Sequence, residues 1–103
     1  MDWDEAANGF NAIGSEARLR VLNVLVRAGE PGLSVGEIQE RTGIAPSTLA
    51  HHLKFLAAGG VVVQTRLGRS TITRARFDAL QKLAEFILCE CCADLSREVA
   101  NDG

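Results

Sequence analysis

Cysteine is scarce in this chain of 103 residues: three occur, all between Cys89 and Cys92. An odd, crowded set does not build a secreted disulfide framework; in a reducing cytosol it points to a metal, a metalloid or redox chemistry. Long apolar runs are missing too. No stretch of about 18 apolar residues exists, so no segment is expected to span a membrane. The opening MDWDEAANGF is acidic and lacks a basic-then-apolar leader, so a cytoplasmic protein is expected. There is no Gly-rich phosphate loop, no HExxH and no zinc-type pair of cysteine pairs, so an enzyme is not expected. Repeats and low-complexity linkers are absent as well. Residues 1–103 therefore read as one domain, with an apolar content of 47% that suits a globular chain.

The most informative absence is of negative charge. Between Glu40 and Asp78 there is no acidic residue. Residues 41–77 carry Arg41, Lys54, Arg66, Arg69, Arg74 and Arg76, a charge of +6; the remainder holds five bases and thirteen acids, a charge of −8. The two give the net −2 of the whole chain. Phosphate binding depends on the local field and on counterion release, so an acidic total does not exclude nucleic acid.

Inside that basic stretch lies GIAPSTLAHHLKFLAAGG, Gly43 to Gly60. Pro46 suits a first helical position, and Gly59-Gly60 stops the helix, which spans about 46–58. Leu49, Leu53, Leu56 and Ala57 recur at helical spacing and form one apolar stripe. Ser47, Thr48, Ala50, His51 and Lys54 lie off it. Short polar groups near the N-terminus, then cations, suit a helix that reads bases in a major groove and holds phosphates. Ala50 brings no hydrogen bond, so at most a thymine methyl is expected to be read there by packing.

Upstream, Asp4 to Ile13 is a short helix with Trp3, Ala7 and Phe10 on one face. Ser15 caps a second helix, Glu16 to Ala28, whose broad apolar surface of Leu19, Val21, Leu22, Leu25 and Val26 should be central. Ser34 and Glu37 have capping-box spacing for a third helix that ends at Gly43. Downstream, Val61 to Arg66 and Ser70 to Arg74 alternate as two strands joined by Leu67-Gly68-Arg69, a hairpin with a basic tip. Placed beside a helix-turn-helix, this is a wing, about 61–74, with Arg69 able to reach a minor groove or phosphates. A last helix is expected from Phe77 to Val99, with Leu80, Ala84, Ile87, Cys91 and Leu95 as its stripe. It is longer than so small a core can cover, so part of it, with Trp3 and Phe10, should meet a second copy. The expected fold is mainly α with a small β-hairpin: a winged helix-turn-helix, dimeric through its terminal helices.

The order of these elements resembles the ArsR-type (ArsR/SmtB) winged-helix repressors. The matching stretches are SEARLRVLNVL, GLSVGEIQERTGIAPSTLAHHLKFLAAGGVV and LGRSTIT. The resemblance implies a homodimer that binds double-stranded operator DNA and represses until an inducer binds. It implies that Ser47, Thr48, Ala50, His51 and Lys54 face DNA, with Arg69 on the wing; Arg66 joins them from the basic stretch. His52 matches a histidine usual in the family and reads as structural.

The resemblance leaves the inducer open. The cysteines that many relatives place at the start of the third helix are absent here, where Leu33 to Glu37 stand. Zinc sites in the last helix of other relatives use histidine, and Phe77 to Val99 has none. Cys89, Cys91 and Cys92 resemble the cysteines that some members use for arsenite. On a regular helix Cys89 and Cys92 would share a face, while Cys91 would join them only if the helix opens or if it comes from the partner. Trivalent arsenic (arsenite) bound by the three thiols is the favoured inducer. Another thiophilic metal, thiol oxidation, persulfide sensing and cysteines kept only for packing are the alternatives. A winged helix that binds protein instead of DNA is the rival from another class.

Overall fold

The computed structural model describes residues 1–95. Five helices and one small sheet follow in the order α1 (Trp3–Ile13), α2 (Glu16–Ala28), β1 (Leu33–Ser34), α3 (Val35–Thr42), α4 (Pro46–Ala58), β2 (Val62–Leu67), β3 (Ser70–Ala75) and α5 (Phe77–Leu88). The fold is mainly α with a small antiparallel sheet.

Local chemistry sets most boundaries. The Asp2 carboxylate accepts from the Glu5 N–H and caps α1; the Ser15 hydroxyl accepts from the Arg18 N–H and caps α2. At α3 the capping box is complete: the Glu37 N–H donates to the Ser34 hydroxyl at 3.2 Å, and the Ser34 N–H donates to the Glu37 carboxylate at 2.9 Å. Pro46 occupies the first turn of α4, where a missing N–H costs nothing.

The core gathers the stripes of α2, α3 and α4. Val21, Leu22, Leu25, Ile38, Leu49, Leu53, Leu56 and Val61 are buried together. Leu19 and Val26, expected on the same face of α2, stay exposed. The sheet closes the far side. It has three strands in the order β1-β3-β2, with Leu33 opposite Thr73 and Val62 opposite Ala75. The sequence suggested two strands; β1 is two residues long, too short to show a period. Thr73 is fully buried at the centre of the sheet, where its hydroxyl accepts from the Gln64 amide at 3.3 Å.

The two terminal helices depart from expectation. In α1 the buried residues are Ala6, Gly9 and Ala12, while Trp3 and Phe10 face outward. The reason is close approach. A Cβ at Gly59 would collide with that of Ala12, and one at Gly9 would come within 2.9 Å of Leu83. Thus α1 is wedged between the end of α4 and α5, and only small residues fit the wedge. In α5 the buried residue is Leu83, with Leu80 and Phe86 packed beside the core. The helix does not run on to Val99. It ends at Leu88, a turn follows through Cys89 to Cys92, and Cys92 has a left-handed backbone, φ 62°. Residues 93–95 are helical again, and the expected remainder, 96–99, lies outside the described residues.

Candidate nucleic-acid interface

The buried stripe of α4 decides what the helix presents outward. Leu49, Leu53 and Leu56 point inward, so Ser47, Thr48, Ala50, His51, Lys54 and Phe55 are exposed. The structure therefore brings all five residues expected to meet bases and phosphates onto one open helix surface. The first turn of α4 has no side-chain cap, which leaves N–H groups and the positive end of the helix dipole free toward an anion. His52 sits at the border of the stripe, half-buried, with Nδ1 buried and without a hydrogen-bond partner. That placement agrees with a structural role.

The wing is built by a two-residue loop. Leu67 pairs with Ser70, and Gly68-Arg69 lies between them. Gly68 has φ 62°, and Arg69 keeps a negative φ. A glycine first in a two-residue loop is the pattern of a type II′ turn, whose twist matches the strands it joins. This projects Arg69 from the tip. Arg66 stands at the same end, its Nε donating to the Gly68 carbonyl at 3.4 Å.

The electrostatics follow the sequence. Arg74 approaches Glu30 at 3.9 Å and Arg76 approaches Asp78 at 4.0 Å; both contacts are long and exposed. Lys54, Arg66 and Arg69 make no ion pair among the described residues. Three cations on α4 and the wing tip are thus left for an external anion, and surface pairs of the kind seen at Arg74 and Arg76 hold their cations weakly.

Sequence reasoning missed Phe55. Its ring is exposed beside the basic face, edge-on to His51 with centroids 5.3 Å apart, and the Arg18 guanidinium lies over it at 4.8 Å. The signal was available: Phe55 stands four residues after His51 and off the leucine stripe.

The cysteine cluster lies apart from this face. All three thiols are exposed. The turn after α5 brings Cys91 and Cys92 together, their sulfurs 3.4 Å apart, instead of the Cys89–Cys92 pair that a regular helix would make. Cys89 donates to the Phe86 carbonyl at 3.3 Å. Among the described residues, no group of three or more histidine, cysteine or carboxylate side chains is gathered as a metal site. Cys89, Cys91 and Cys92 do not converge within one subunit.

An exposed helix with short polar and basic residues, seated by a leucine stripe and flanked by a basic hairpin, is a winged helix-turn-helix DNA-binding surface. A family model described as a helix-turn-helix domain matches residues 13–65. An uncharacterized HTH-type transcriptional regulator, YceK of Bacillus subtilis (strain 168), is 31% identical over 72 residues, 70% of this chain and 71% of that protein. An ArsR-like transcriptional regulator from Rhodococcus sp. RHA1 is similar in structure, with a TM-score of 0.77 and 29% identity, over 96% of this chain and 90% of the other. The homodimeric winged helix-turn-helix DNA-binding domain of a Mycobacterium bovis protein gives a TM-score of 0.68 and 26% identity, over 85% and 82%. The chain belongs to the helix-turn-helix domain family, as an ArsR-type winged-helix transcriptional regulator.

Proposed function

We propose that this regulator is a homodimeric repressor that leaves its operator when a thiophilic inducer, trivalent arsenic, is taken up by Cys89, Cys91 and Cys92. The observation that supports the inducer reading is the exposure of all three thiols at the turn that interrupts the terminal helix. Cysteines kept for packing are among the most buried of residues, and these are open to a ligand. Soft centres select thiolates. With their sulfurs 3.4 Å apart, Cys91 and Cys92 can meet one such centre. Cys89 completes the set once its thiol leaves the Phe86 carbonyl, or the third thiolate comes from a second copy.

Exposed Trp3, Ile87 and Leu88 on the terminal helices support a dimer built there, as does the homodimeric state of the Mycobacterium bovis relative. Metalloid uptake at the end of α5 would favour a dimer geometry in which the two reading helices no longer match the operator, the differential binding that any inducer needs.

Fluorescence anisotropy tests this. Reduced protein, on duplex DNA from upstream of its own gene, is titrated with arsenite, alongside a Cys89/Cys91/Cys92→Ser triple variant. Release of the natural chain alone is expected. Equal, arsenite-insensitive binding by both keeps the DNA reading and sinks the arsenic one. The Cys91–Cys92 contact supports a second reading, a thiol-oxidation or persulfide sensor, which predicts release by polysulfide or peroxide but not by arsenite. A flat response of DNA affinity to salt would favour a protein-binding winged helix instead.

A further inference from the structure

We infer that Arg18 is a positioning residue for DNA reading: it locks α4 to the end of α1 without touching DNA. The inference rests on α4 being the reading helix. Arg18 lies in the first turn of α2, half-buried. Its Nε donates to the Ala12 carbonyl at 2.6 Å, and its Nη2 reaches the Asn11 carbonyl at 3.4 Å. Both carbonyls belong to the last turn of α1, where helix acceptors lack intrahelical partners. That turn has no basic residue of its own. Arg18 therefore supplies a cationic cap from the next helix, at the negative end of the α1 dipole.

The other side of the same guanidinium faces the reading helix. Its Cζ stands 4.8 Å from the centre of the Phe55 ring, a cation–π contact. Phe55 in turn meets His51 edge-on. One turn further along α4, Gly59 rests directly on Ala12 with no room for a side chain. Two contacts at different heights, Arg18 on Phe55 and Ala12 on Gly59, fix the rotation of α4 about its own axis. A helix pinned at one height can roll; pinned at two, it presents His51 and Lys54 at one angle.

The same α1 is held by α5, through Gly9 on Leu83 and through Trp3, whose ring lies edge-on to Phe86 at 5.0 Å. A continuous packed route thus joins the terminal helix to the reading face by way of Arg18. Lysine cannot replace it in full. An ammonium lacks the planar fork that serves carbonyls with its edge while its face lies on a ring.

The test uses a duplex selected by the natural chain from a random library. Affinity is measured against salt concentration for the natural chain and for Arg18→Met, Arg18→Lys, Phe55→Leu, the Arg18→Met/Phe55→Leu double variant and Lys54→Ala, with thermal melts of each. Arg18→Met and Phe55→Leu should each bind about fivefold to tenfold more weakly, and the double variant no more weakly than the worse single, because both remove one contact. Arg18→Lys should fall between. The salt slope should stay at the natural value in all four, while Lys54→Ala lowers it by about one. Natural affinity in Arg18→Met overturns the inference. So does a slope reduced by about one, which makes Arg18 a phosphate ligand, or single effects that multiply. If Arg18→Met does not fold, Phe55→Leu carries the test: natural affinity there is equally fatal. Failure of the natural chain to select any duplex would remove the DNA reading, and this inference with it.

Discussion

Lys54 illustrates how a single residue is assigned by what surrounds it. It is exposed on α4, opposite the buried leucines, and forms no ion pair among the described residues. A cation so placed serves phosphates and carries no sequence information. Lys54→Ala should therefore weaken binding to every duplex by a similar factor and lower the salt slope by about one, measured by anisotropy over a salt series. Unequal losses among sequences would make Lys54 a base reader instead. Arg69 differs in its mounting. It hangs on a two-residue loop, so its reach depends on Gly68 holding a positive φ as much as on its own charge. The cysteines show the limit of spacing arguments. Helical geometry pairs Cys89 with Cys92, but a positive φ at Cys92 pairs Cys91 with Cys92 instead.

Elements were legible in the sequence where chemistry and period agreed. In α4, a proline start, a leucine stripe and a glycine stop all gave the same helix, and its outward residues followed. In α3, Ser34 and Glu37 gave the start. That cap yields a prediction. Ser34→Ala should cost about 1 kcal/mol, a loss visible as a fall in melting temperature of about 4–8 °C. The Ser34 backbone N–H and hydroxyl side, then Arg41 nearby, hold the Glu37 carboxyl below the ordinary glutamate range. A depressed folded-state pKa means that the stabilisation is present above the ordinary range and is lost as pH falls through the folded value. Glu37→Gln should therefore show a weaker acid-side decline in melting temperature than the natural chain. Elements were illegible where packing overrode pattern. Hydrophobicity places Trp3 and Phe10 inside, but the close approach of three helices admits only Ala6, Gly9 and Ala12. The apolar stripe of α5 continues in the letters past Leu88, yet cysteine is a weak helix former and the backbone turns away there. β1 owes its existence to β3, a partner nearly forty residues downstream, as its pairing of Leu33 with Thr73 shows.

At the scale of the molecule, two surfaces stand out, one charged and one apolar. The apolar surface is the outer side of α1 and α5, where Trp3 is 80% exposed, Ile87 65% and Leu88 62%. Three large side chains so open to water call for a covering partner. If a second copy provides it, Ile87→Asp should shift the protein toward monomer in sedimentation velocity and weaken binding to a two-half-site duplex far more than to a single half-site. An unchanged sedimentation coefficient would place the dimer contact elsewhere. The charged surface, residues 41–77, meets the acidic remainder only at its edges. Between these surfaces lies α1, seated on Gly59 without a gap. That seat constrains how the lineage can drift. A side chain at position 59 requires the loss of one at position 12, with a further shift of a few tenths of an ångström at the Asn8 carbonyl, which a new Cβ would approach at 3.1 Å. The two positions should therefore covary across homologous chains: alanine at 59 should keep company with glycine at 12, and either change alone should be rare.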